Sequence, residues 1–588
     1  MNVSINSKKG FLISAAFILV VHFFYYPKWQ ESYTEATLSW DVSGYYMYLP
    51  ALFIYKDLKG CSFIDDVLNE YHPTPDFQQG FFHEESGNCV MKYPAGMALM
   101  YMPFFWIAHG WASISSTYPP DGFSLPYQLM ISLGTLLVAL LGLYFIRKSL
   151  LVYFDDKAVG WTLMLVVLGS NYLNYSAIDG AMTHNFLFTL YAILIWQTIR
   201  FYKNPNFIGG AFIGAIVGLM ALTRPTEIIA VLIPLLWGVN LFSTYSLKNR
   251  LSLILDKSGI FLTAVVSCGL VGSVQLIYWK YVSGDWLVYS YEDQGFSWLK
   301  PRIWKGFFSH KAGWLMYSPF MLISLFGFFY LWKKKANLFG STLLFFLTFI
   351  YIAFSWDIWW YGGSLGQRTM VQTYAVLMFP LAAFLTYMMK WALWKKFIIA
   401  FLILLGVYVN LWFTHQSHKG GWFFTEQMNK EFYWATVGRW NISPEVIKYL
   451  DTDELFKGKI GETDTLLYLS GEWSHLPGRQ SAYFYPTETK LDHPAWIRIS
   501  ANWRIGEKEW NFWDQTQLVG RFIKNEEVVK SRFFRLHRLL DPYSEKEIYL
   551  DVQFPKEKFD RIEVTIMNEF TPHFIEYSNL SIFAFREK

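Results

Sequence analysis

The sequence predicts a polytopic α-helical membrane protein with a β-sandwich at its C-terminal end, outside the membrane. Hydrophobic residues make up 53% of the 588 residues and charged residues only 16%, a balance typical of integral membrane proteins. Hydrophobic segments of about spanning length recur over residues 1–413. Beyond them such segments stop, and short stretches alternate apolar with polar residues, as half-buried strands do.

About eleven segments are long enough, or nearly long enough, to cross a bilayer as helices. They lie at about 11–26, 126–146, 158–175, 185–199, 207–222, 226–243, 258–279, 313–332, 338–355, 370–389 and 397–413. Basic residues collect in every second connection, from Lys8 and Lys9 to Lys395 and Lys396. Because basic connections remain in the cytoplasm, we expect a cytoplasmic N-terminus and an outward-facing C-terminal domain.

One further apolar segment, Ala95 to Ile114, does not fit this alternation. If it crossed the membrane, the basic connections after it would face outward, against the charge rule. We therefore predict that it is an interfacial or re-entrant helix. The first outer loop then covers 27–126, which is too long for a simple connector and indicates a functional segment.

The C-terminal part of the chain has the composition of a folded aqueous domain. Residues 414–459 are predicted as a helical connector, in which Ser443-Pro444-Glu445 resembles a helix N-terminus. Residues 460–588 are predicted as a jelly-roll-like β-sandwich. Its clearest strands are Trp496 to Trp503, Ile548 to Phe554 and Ile562 to Ile566.

Charge and cysteine content exclude some classes of protein. The formal net charge of +4 is too small to indicate a nucleic-acid partner. Three cysteines are too few for a disulfide scaffold, although Cys61 and Cys89 share the first outer loop and could pair there.

The candidate catalytic residue is Asp41, in the stretch Trp40-Asp41-Val42-Ser43-Gly44-Tyr45-Tyr46-Met47-Tyr48. The aromatic run could lie along the membrane surface with its tyrosine rings at headgroup depth, which would hold the carboxylate just above the lipid. The alternative is that Asp41 only caps an interfacial helix.

Other ionisable residues collect on the same predicted side of the membrane, many at helix ends beside glycine or proline. Ionisable groups at membrane depth are costly and usually face a cavity. Arg224 and Glu227 lie between two hydrophobic runs and could also simply pair with each other. The full set is Asp41, Glu84, Glu85, Lys92, Asp179, His184, Arg224, Glu227, Asp285, Glu292, Asp293, Lys311, Asp357 and Arg368.

This combination of charges suits glycosyl transfer from a lipid-linked phosphate. Lys92, Arg224 and Arg368 are candidates to hold a phosphate. Asp41 is the candidate base that deprotonates the acceptor hydroxyl. Stabilisation of the departing phosphate could be the larger catalytic effect, since no strong nucleophile is needed.

Over about 11–413 the chain resembles the GT-C superfamily of polyprenyl-phosphate-dependent glycosyltransferases, in particular the protein O-mannosyltransferase and aminoarabinose transferase branch. Asp41 followed by Tyr45 matches the first outer-loop motif of that branch. Lys92-Tyr93-Pro94 is similar to a second motif but has one of its two prolines. Three further stretches carry the resemblance: Met182-Thr183-His184-Asn185, Leu222-Thr223-Arg224-Pro225-Thr226, and Trp359-Trp360-Tyr361-Gly362-Gly363-Ser364-Leu365-Gly366-Gln367-Arg368.

The resemblance implies an interfacial helix after Lys92, a sugar donor carried on polyprenyl phosphate, and an inverting transfer. The expected substrate-binding residues are Tyr45, Lys92, His184, Arg224, Glu227, Asp357 and Arg368, with Asp41 as the catalytic residue. Several of them have a plainer alternative. His184 could be an ordinary hydrogen-bonded histidine, Asp357 could cap or pair locally, and the tyrosines and the Trp359-Trp360 pair could be interface anchors.

The leading hypothesis is a glycosyltransferase that moves a sugar from a polyprenyl-phosphate donor to an extracytoplasmic glycan, lipid or protein, in the bacterial inner membrane with its site and C-terminal domain on the periplasmic face. No cofactor is required by the pattern; scattered carboxylates could bind a divalent metal, but no ligand spacing demands one. The alternatives are a lipid or glycolipid transporter or flippase, and a membrane-anchored binding protein whose activity lies in the sandwich.

Overall fold

The computed structural model describes residues 5–75, 77, 79–291 and 293–588, so Glu292 lies outside the described residues. The chain forms two compact units, Met1–Glu426 and Gln427–Lys588. We predicted that the transmembrane domain ends at residue 413, a position inside the last long helix of the N-terminal unit, which ends at His415.

The N-terminal unit is almost entirely helical. Its described α-helices are α1 (Ser7–Val20), α2 (Asp41–Tyr46), α3 (Tyr48–Phe53), α4 (Ile64–Tyr71), α5 (Gly96–Ile114), α6 (Leu125–Leu151), α7 (Asp156–Gly169), α8 (Tyr172–Ala177), α9 (Thr183–Phe201), α10 (Phe207–Thr223), α11 (Leu232–Leu236), α12 (Thr244–Asp256), α13 (Ser258–Val282), α14 (Ile303–Phe308), α15 (Trp314–Tyr317), α16 (Leu322–Lys334), α17 (Ala336–Ser355), α18 (Tyr374–Met388) and α19 (Leu393–His415).

Short helical turns extend or connect several of these helices. The 3₁₀ turns are Lys28–Gln30, Tyr33–Glu35, Pro225–Val231, Pro319–Met321 and Arg368–Thr373, and the π-helical turns are Val21–Tyr25 and Gln416–Gly420. A small antiparallel hairpin of β1 (Gly80–Phe82) and β2 (Cys89–Met91) follows α4.

Six helical stretches of the described chain are long and apolar enough to cross a membrane, which supports an integral membrane protein. They are Ser7–Gln30, Leu125–Leu151, Ser258–Val282, Ala336–Ser355, Arg368–Met388 and Leu393–Gly420. The other five predicted segments also fall on helices, which are shorter, interrupted or, in the case of α9, less apolar. The count of about eleven spans therefore stays a prediction.

The interruptions have a local cause in the sequence. Pro225 and Pro319 each follow the end of a helix and begin a 3₁₀ turn, since proline has no N–H to continue the helical ladder. Ser170 separates α7 from α8 in extended backbone. A hydropathy pattern averages over such breaks, and for this reason we predicted single segments at 158–175, 226–243 and 313–332.

A stripe of glycines joins α10 to α13. A Cβ built on Gly210, Gly214 or Gly218 would collide with carbonyl oxygens of α13, so the two backbones touch directly. Small residues at four-residue spacing are the usual means of close helix approach in membranes. Helix α13 is otherwise exposed along most of its length. Its attachment to α10 therefore depends on the absence of side chains at these three positions.

Helix α5 is the segment that we predicted to be interfacial or re-entrant. It runs without a break from Gly96 to Ile114 and is not one of the six stretches above. Its first residue packs against the backbone of Thr223 at the end of α10. This contact brings the Lys92-Tyr93-Pro94 stretch next to Arg224; the orientation of α5 in a bilayer stays a prediction.

The C-terminal unit contains α20 (Lys430–Thr436), the 3₁₀ turns Pro444–Leu450 and Leu536–Arg538, and two antiparallel sheets. Its described strands are β3 (Ile460–Leu469), β4 (Ser474–Leu476), β5 (Gln480–Phe484), β6 (Trp496–Ile505), β7 (Gln517–Lys524), β8 (Glu527–Arg535), β9 (Lys546–Gln553), β10 (Arg561–Asn568) and β11 (Ile575–Glu587). The sheet orders are β5-β10-β7-β8 and β3-β11-β6-β9, and β4 pairs with β11.

Alternate residues of the two sheets form one core. On β6 the buried side chains are Ile497, Ile499, Ala501 and Trp503, and on the facing sheet Leu518 and Phe522 join them with residues of β10. This period of two is the pattern from which we predicted strands near 496, 548 and 562. Two sheets that bury their inner faces against each other make a β-sandwich.

Candidate active site

Asp41 is the first residue of α2, and its side chain points away from the helix end. Its Oδ1 accepts a hydrogen bond from the Tyr93 hydroxyl at 2.8 Å, and its Oδ2 lies 2.9 Å from Arg368 Nη2. No side chain caps α2, so the capping alternative does not describe Asp41. The preceding Trp40 has a positive φ of 49°, a costly conformation for a residue with a Cβ, and such strain often marks a functional segment.

The aromatic run after Asp41 is part of the core. We expected these tyrosine rings at headgroup depth, but Tyr45, Tyr46 and Tyr48 are all buried. Tyr46 donates to the Gly122 carbonyl at 2.7 Å, and Tyr48 donates to the Tyr93 carbonyl at 2.6 Å. These tyrosines are therefore not exposed interface anchors, because an alternating aromatic pattern does not distinguish a membrane surface from a protein interior; their depth in a bilayer stays a prediction.

A cavity of about 580 Å³ opens in front of Asp41. Its polar wall is formed by Asp41, Tyr45, Lys92, Tyr93, Arg224, Glu227, Tyr291, Tyr361, Arg368 and Glu426, and its apolar wall includes Ile229, Trp279, Val288, Phe296, Phe349, Ile352, Trp356 and Ile358. The volume is in the range of small-molecule binding sites, roughly 300 to 1,000 Å³. The cavity can thus hold a ligand with both a charged and an apolar part.

Lys92 and Tyr93 reach the cavity from the strand that precedes α5. Helix α13 holds this stretch at both ends, because the Met91 N–H donates to the Tyr278 hydroxyl at 2.9 Å and the Ala95 N–H donates to Gln275 Oε1 at 2.9 Å. The single proline of the motif, Pro94, also lines the cavity. The lysine is therefore positioned by helix packing and not by a flexible loop.

Arg224 ends α10 and lies in the cavity wall, with its guanidinium 5.6 Å from the centre of the Tyr361 ring. Glu227, one turn later, is 2% exposed. It accepts hydrogen bonds from Gln372 Nε2 at 2.9 Å and from the Tyr191 hydroxyl. Among the described residues no ion pair joins Arg224 to Glu227, and the two charges act on each other only through space.

His184 is fully buried behind the cavity and does not line it. Its Nδ1 lies 2.8 Å from Gln372 Oε1, the same glutamine that binds Glu227. Its Nε2 has no partner among the described residues. This geometry matches the alternative of a hydrogen-bonded histidine. Gln372 connects His184 to Glu227, and Glu227 lines the cavity.

Asp357 does not line the cavity either, although Trp356 and Ile358 on both sides of it do. Its carboxylate accepts from Ser297 at 2.6 Å and lies 3.3 Å from Arg302 Nη1. These bonds tie the loop before α14 to the end of α17, which is the local pairing that we gave as the alternative.

Arg368 is held by the glycine-containing loop that starts at Trp359. Three residues of this loop have positive φ angles, namely Tyr361, Gly362 and Gly366. A Cβ on Gly362 would stand 3.6 Å from Arg368 Nη2 and 3.6 Å from Glu426 Oε1. Glycine is favoured here because the backbone is left-handed and the space beside it belongs to the cavity.

The charges of the cavity determine the state of Asp41. Burial alone would raise the pKa of its carboxyl. The charge of Arg368 and the hydrogen bond from Tyr93 outweigh burial, so the pKa lies below its ordinary value. Arg224 and Lys92 act in the same direction. Asp41 is therefore ionised at neutral pH, and the three cations Lys92, Arg224 and Arg368 lie close enough to it to act on the same ligand.

Of the predicted site residues, six line one cavity: Asp41, Tyr45, Lys92, Arg224, Glu227 and Arg368. Tyr93, Tyr291, Trp360, Tyr361 and Glu426 also line it and were not predicted as site residues. Tyr93, Trp360 and Tyr361 stand inside the motifs quoted above, which is a signal that could have found them. Tyr291 and Glu426 lie in no motif, and Glu426 follows the predicted membrane domain.

The remaining candidates lie outside this cavity. Glu84 and Glu85 are exposed, and Cys61 and Cys89 are buried and unbridged. In the described chain no three His, Cys, Asp or Glu side chains come together to hold a metal. Both oxygens of Asp41 are already bonded to Tyr93 and Arg368, so this carboxylate does not present a ligand set for a divalent ion.

No family model matches this chain, and no curated protein matches it. Among solved structures it is similar to the oligosaccharyltransferase of Archaeoglobus fulgidus, with 11% identity and a TM-score of 0.42 over 70% of this chain. It is also similar to the arabinosyltransferase EmbB of Mycobacterium smegmatis, with 10% identity and a TM-score of 0.32 over 98% of this chain. The alignments span 56% and 64% of those two chains.

Proposed function

We propose that this protein is a membrane glycosyltransferase that moves a sugar from a polyprenyl-phosphate donor to an extracytoplasmic acceptor, with inversion at the anomeric carbon. One observation carries the proposal. An ionised carboxylate, Asp41, shares a single cavity with Lys92, Arg224 and Arg368, which come from three distant parts of the chain.

The two walls of the cavity suit the two parts of such a donor. The three cations match a phosphate, because arginine and lysine form strong charge-assisted hydrogen bonds with phosphate oxygens. The apolar wall, with Ile229, Phe349 and Ile352, suits the first units of a polyprenyl chain. A soluble sugar nucleotide would leave this wall without a partner.

In the mechanism, Asp41 accepts the proton of the acceptor hydroxyl as that oxygen attacks the anomeric carbon. The bond from this carbon to the phosphate oxygen breaks, and its electron pair leaves with the phosphate. The cations stabilise the charge that develops there, which is typically a large part of catalysis in a preorganised site. Asp41 then releases its proton to water.

The ion pair of Asp41 with Arg368 gives donor binding a second role. While both oxygens of Asp41 are bonded, its low pKa makes it a weak base. A donor phosphate competes for the Arg368 guanidinium and weakens that pair. The proton affinity of Asp41 then rises when the donor is present, so the base becomes active in the loaded site.

We place the site and the C-terminal unit on the periplasmic side of a bacterial inner membrane, on the support of the alternating basic connections. A lipid transporter or flippase would use the same cations but would not cleave a bond. The two functions therefore differ in whether a labelled sugar is transferred from its polyprenyl phosphate to another molecule.

The test uses purified full-length protein with radiolabelled polyprenyl-phosphate sugars and a lysate of envelope material. We expect label to pass to one envelope component, with loss of transfer in Asp41→Asn and normal transfer in Asp65→Asn, an exposed carboxylate of the same outer loop. Label that crosses the bilayer of proteoliposomes on its original lipid, without transfer, would instead establish a transporter.

A further inference from the structure

We propose that Glu426 and Trp360 form the acceptor subsite of the cavity and that the acceptor is a carbohydrate. This inference rests on the proposed function and adds the acceptor's chemical class. Both residues line the cavity, and neither belongs to the group of Asp41, Lys92, Arg224 and Arg368 that we assign to the donor and the base.

Glu426 and Asp41 are two carboxylates of the cavity that both lie near Arg368. Asp41 Oδ2 is 2.9 Å from Arg368 Nη2. Glu426 Oε1 and Arg368 Nη2 each lie 3.6 Å from the position of a Cβ on Gly362, so these two atoms are at most twice that distance apart. A ligand group of a few atoms therefore spans from the reacting centre to Glu426.

The two carboxylates differ in what they already bind. Asp41 is bonded through both oxygens, whereas Glu426 makes no hydrogen bond or ion pair with any other residue in the part of the chain that the structure describes. An ionised carboxylate accepts hydrogen bonds only. Glu426 is thus available for hydroxyl groups of a ligand, without competition from a protein cation in direct contact.

Trp360 supplies a different kind of surface to the same cavity and is linked to Glu426 through Lys311, whose charge acts on that carboxylate. Its indole Nε1 is buried and has no partner in the described residues, which leaves a donor that a ligand oxygen can satisfy. Lys311 Nζ lies 3.6 Å from the centre of the ring and holds it by a cation–π interaction. The ring is therefore fixed, which is the condition for stacking at little entropic cost.

An indole ring beside a free carboxylate suits a sugar better than the other acceptor classes. A pyranose ring presents a C–H face for stacking and several hydroxyl groups for a carboxylate and an N–H donor. A serine or threonine side chain presents a single hydroxyl, which the base already uses. A lipid chain would require apolar surface, and the apolar wall lies along Ile229, Phe349 and Ile352.

The first test measures transfer by the full-length protein with Glu426→Gln and Trp360→Ala. We expect the KM for the acceptor to rise tenfold or more, with the KM for the donor and the slow hydrolysis of the donor by water unchanged. The matched controls are Glu85→Gln and Trp106→Ala, exposed residues of the same unit. Equal changes in the KM of donor and acceptor would overturn the assignment.

The second test measures binding without transfer, by saturation-transfer NMR. The probes are oligosaccharides released by mild acid from envelope polysaccharide, and a serine- and threonine-containing peptide. We expect the wild type to bind the oligosaccharides and not the peptide, and both variants to lose that binding while retaining the wild-type melting temperature. A wild type that binds only the peptide, or binds neither probe, or variants that bind as the wild type does, would contradict the proposal.

The two tests separate this inference from the function on which it rests. If the wild type binds oligosaccharide through Glu426 and Trp360 but transfers no sugar, the glycosyltransferase proposal fails and the binding site stands. If it transfers sugar to a peptide or lipid with normal kinetics in both variants, the function stands and the acceptor subsite fails.

Discussion

Two of the aspartates that pair with arginine, Asp41 in the N-terminal unit and Asp451 in the C-terminal unit, differ in how completely their charges are satisfied. In the C-terminal unit, the Asp451 side chain has no exposed surface, and the side chains of Arg535 and Arg538 are 9% and 5% exposed. In the N-terminal unit, Asp41 is 23% and Arg368 12% exposed, and both line the cavity.

Each carboxylate oxygen of Asp451 accepts two hydrogen bonds. Oδ2 accepts from the Arg535 N–H at 2.9 Å and from Arg538 Nε at 2.8 Å. Oδ1 accepts from Arg538 Nη2 at 3.0 Å and from Arg535 Nη1. The Arg535 Nε in turn donates to the Phe512 carbonyl at 2.6 Å. Such a closed network has no capacity for a ligand, and it serves the fold.

In the Asp41 cluster some hydrogen-bonding groups have no partner within the protein. Arg368 Nε has no partner in the described part of the chain, and Arg224 and Lys92 add positive charge without further carboxylates in contact. An aspartate–arginine pair is thus structural in the C-terminal unit, where its hydrogen bonds are all made within the protein. In the N-terminal unit some hydrogen-bonding groups are left over, and the pair can bind a ligand. Substitutions in the two clusters should therefore affect different properties: sugar transfer at Asp41 and stability at Asp451.

Asp41→Asn removes the proton acceptor and keeps the shape of the side chain. Loss of a general base typically costs about 10² to 10⁴ in rate, and we expect a loss of sugar transfer of that size with little change in melting temperature. Label transfer and a thermal melt check both parts. Normal transfer in this variant would remove Asp41 from its role, and Asp65→Asn controls for the substitution itself.

Asp451→Ala should have the opposite profile. It leaves Arg535 and Arg538 buried without their carboxylate, and breaking one partner of a buried pair typically costs about 3 to 5 kcal/mol. We expect loss of hydrogen-exchange protection in β8, which carries Arg535, and in its neighbour β7. Asp453→Ala, a 60% exposed carboxylate paired with Arg532, is the control and should cost far less. Unchanged protection in Asp451→Ala would show that the network is not structural.

Arg368→Lys tests whether the open pair needs a guanidinium. Lysine keeps the charge but cannot bind a carboxylate and a phosphate with a planar fork. We expect transfer to fall by about 10 to 100-fold, corresponding to roughly 1.4 to 2.8 kcal/mol of transition-state stabilisation. The KM for the donor should rise, because Arg368 binds its phosphate. A rate equal to the wild type would indicate that charge alone suffices.

The pH dependence should be the smallest effect. Since the folded pKa of Asp41 is lowered, the ion pair with Arg368 is fully formed above the ordinary carboxyl pKa of about 3.9 and is lost as the pH falls through the folded value. We expect less than a twofold change in kcat/KM for the donor between pH 5 and 7 from this group, because kcat/KM reports the free enzyme, in which Asp41 is paired with Arg368. A kcat/KM that declines with an apparent pKa near 6 would contradict the ionised, paired state.

Sequence patterns predicted the charged residues of the cavity wall because each stands at the end of an apolar run. Lys92, Arg224 and Arg368 all precede or follow glycine or proline at such ends. The pattern could not tell that Asp357, at a similar predicted depth, binds Arg302, since that contact joins residues 55 positions apart in the chain. Glu426 reaches the cavity only through the folding of the segment after α19, which no local pattern encodes.

The strands of the C-terminal unit were easier to predict than the breaks in the helices. An alternation such as that of Ile497, Ile499 and Ala501 states directly which face is buried. The helices that are interrupted at Ser170 and Pro319 are followed by further apolar residues. The hydropathy therefore stays high across each break, and the break is not visible in the sequence. The burial of Tyr45 and Tyr46 likewise depends on contacts with residues distant in the chain, which the local sequence does not indicate.

The direct contact of α10 with α13 also determines whether the cavity can form. Trp279 of α13 closes one wall of the cavity, and Gln275 of the same helix holds the stretch that carries Lys92. Until α13 has docked on the three glycines, that wall is missing and Lys92 is not positioned. Closure of this wall therefore depends on a contact between two helices that lie apart in the sequence, and a side chain at any of the three glycines would displace both the wall and the stretch that carries Lys92.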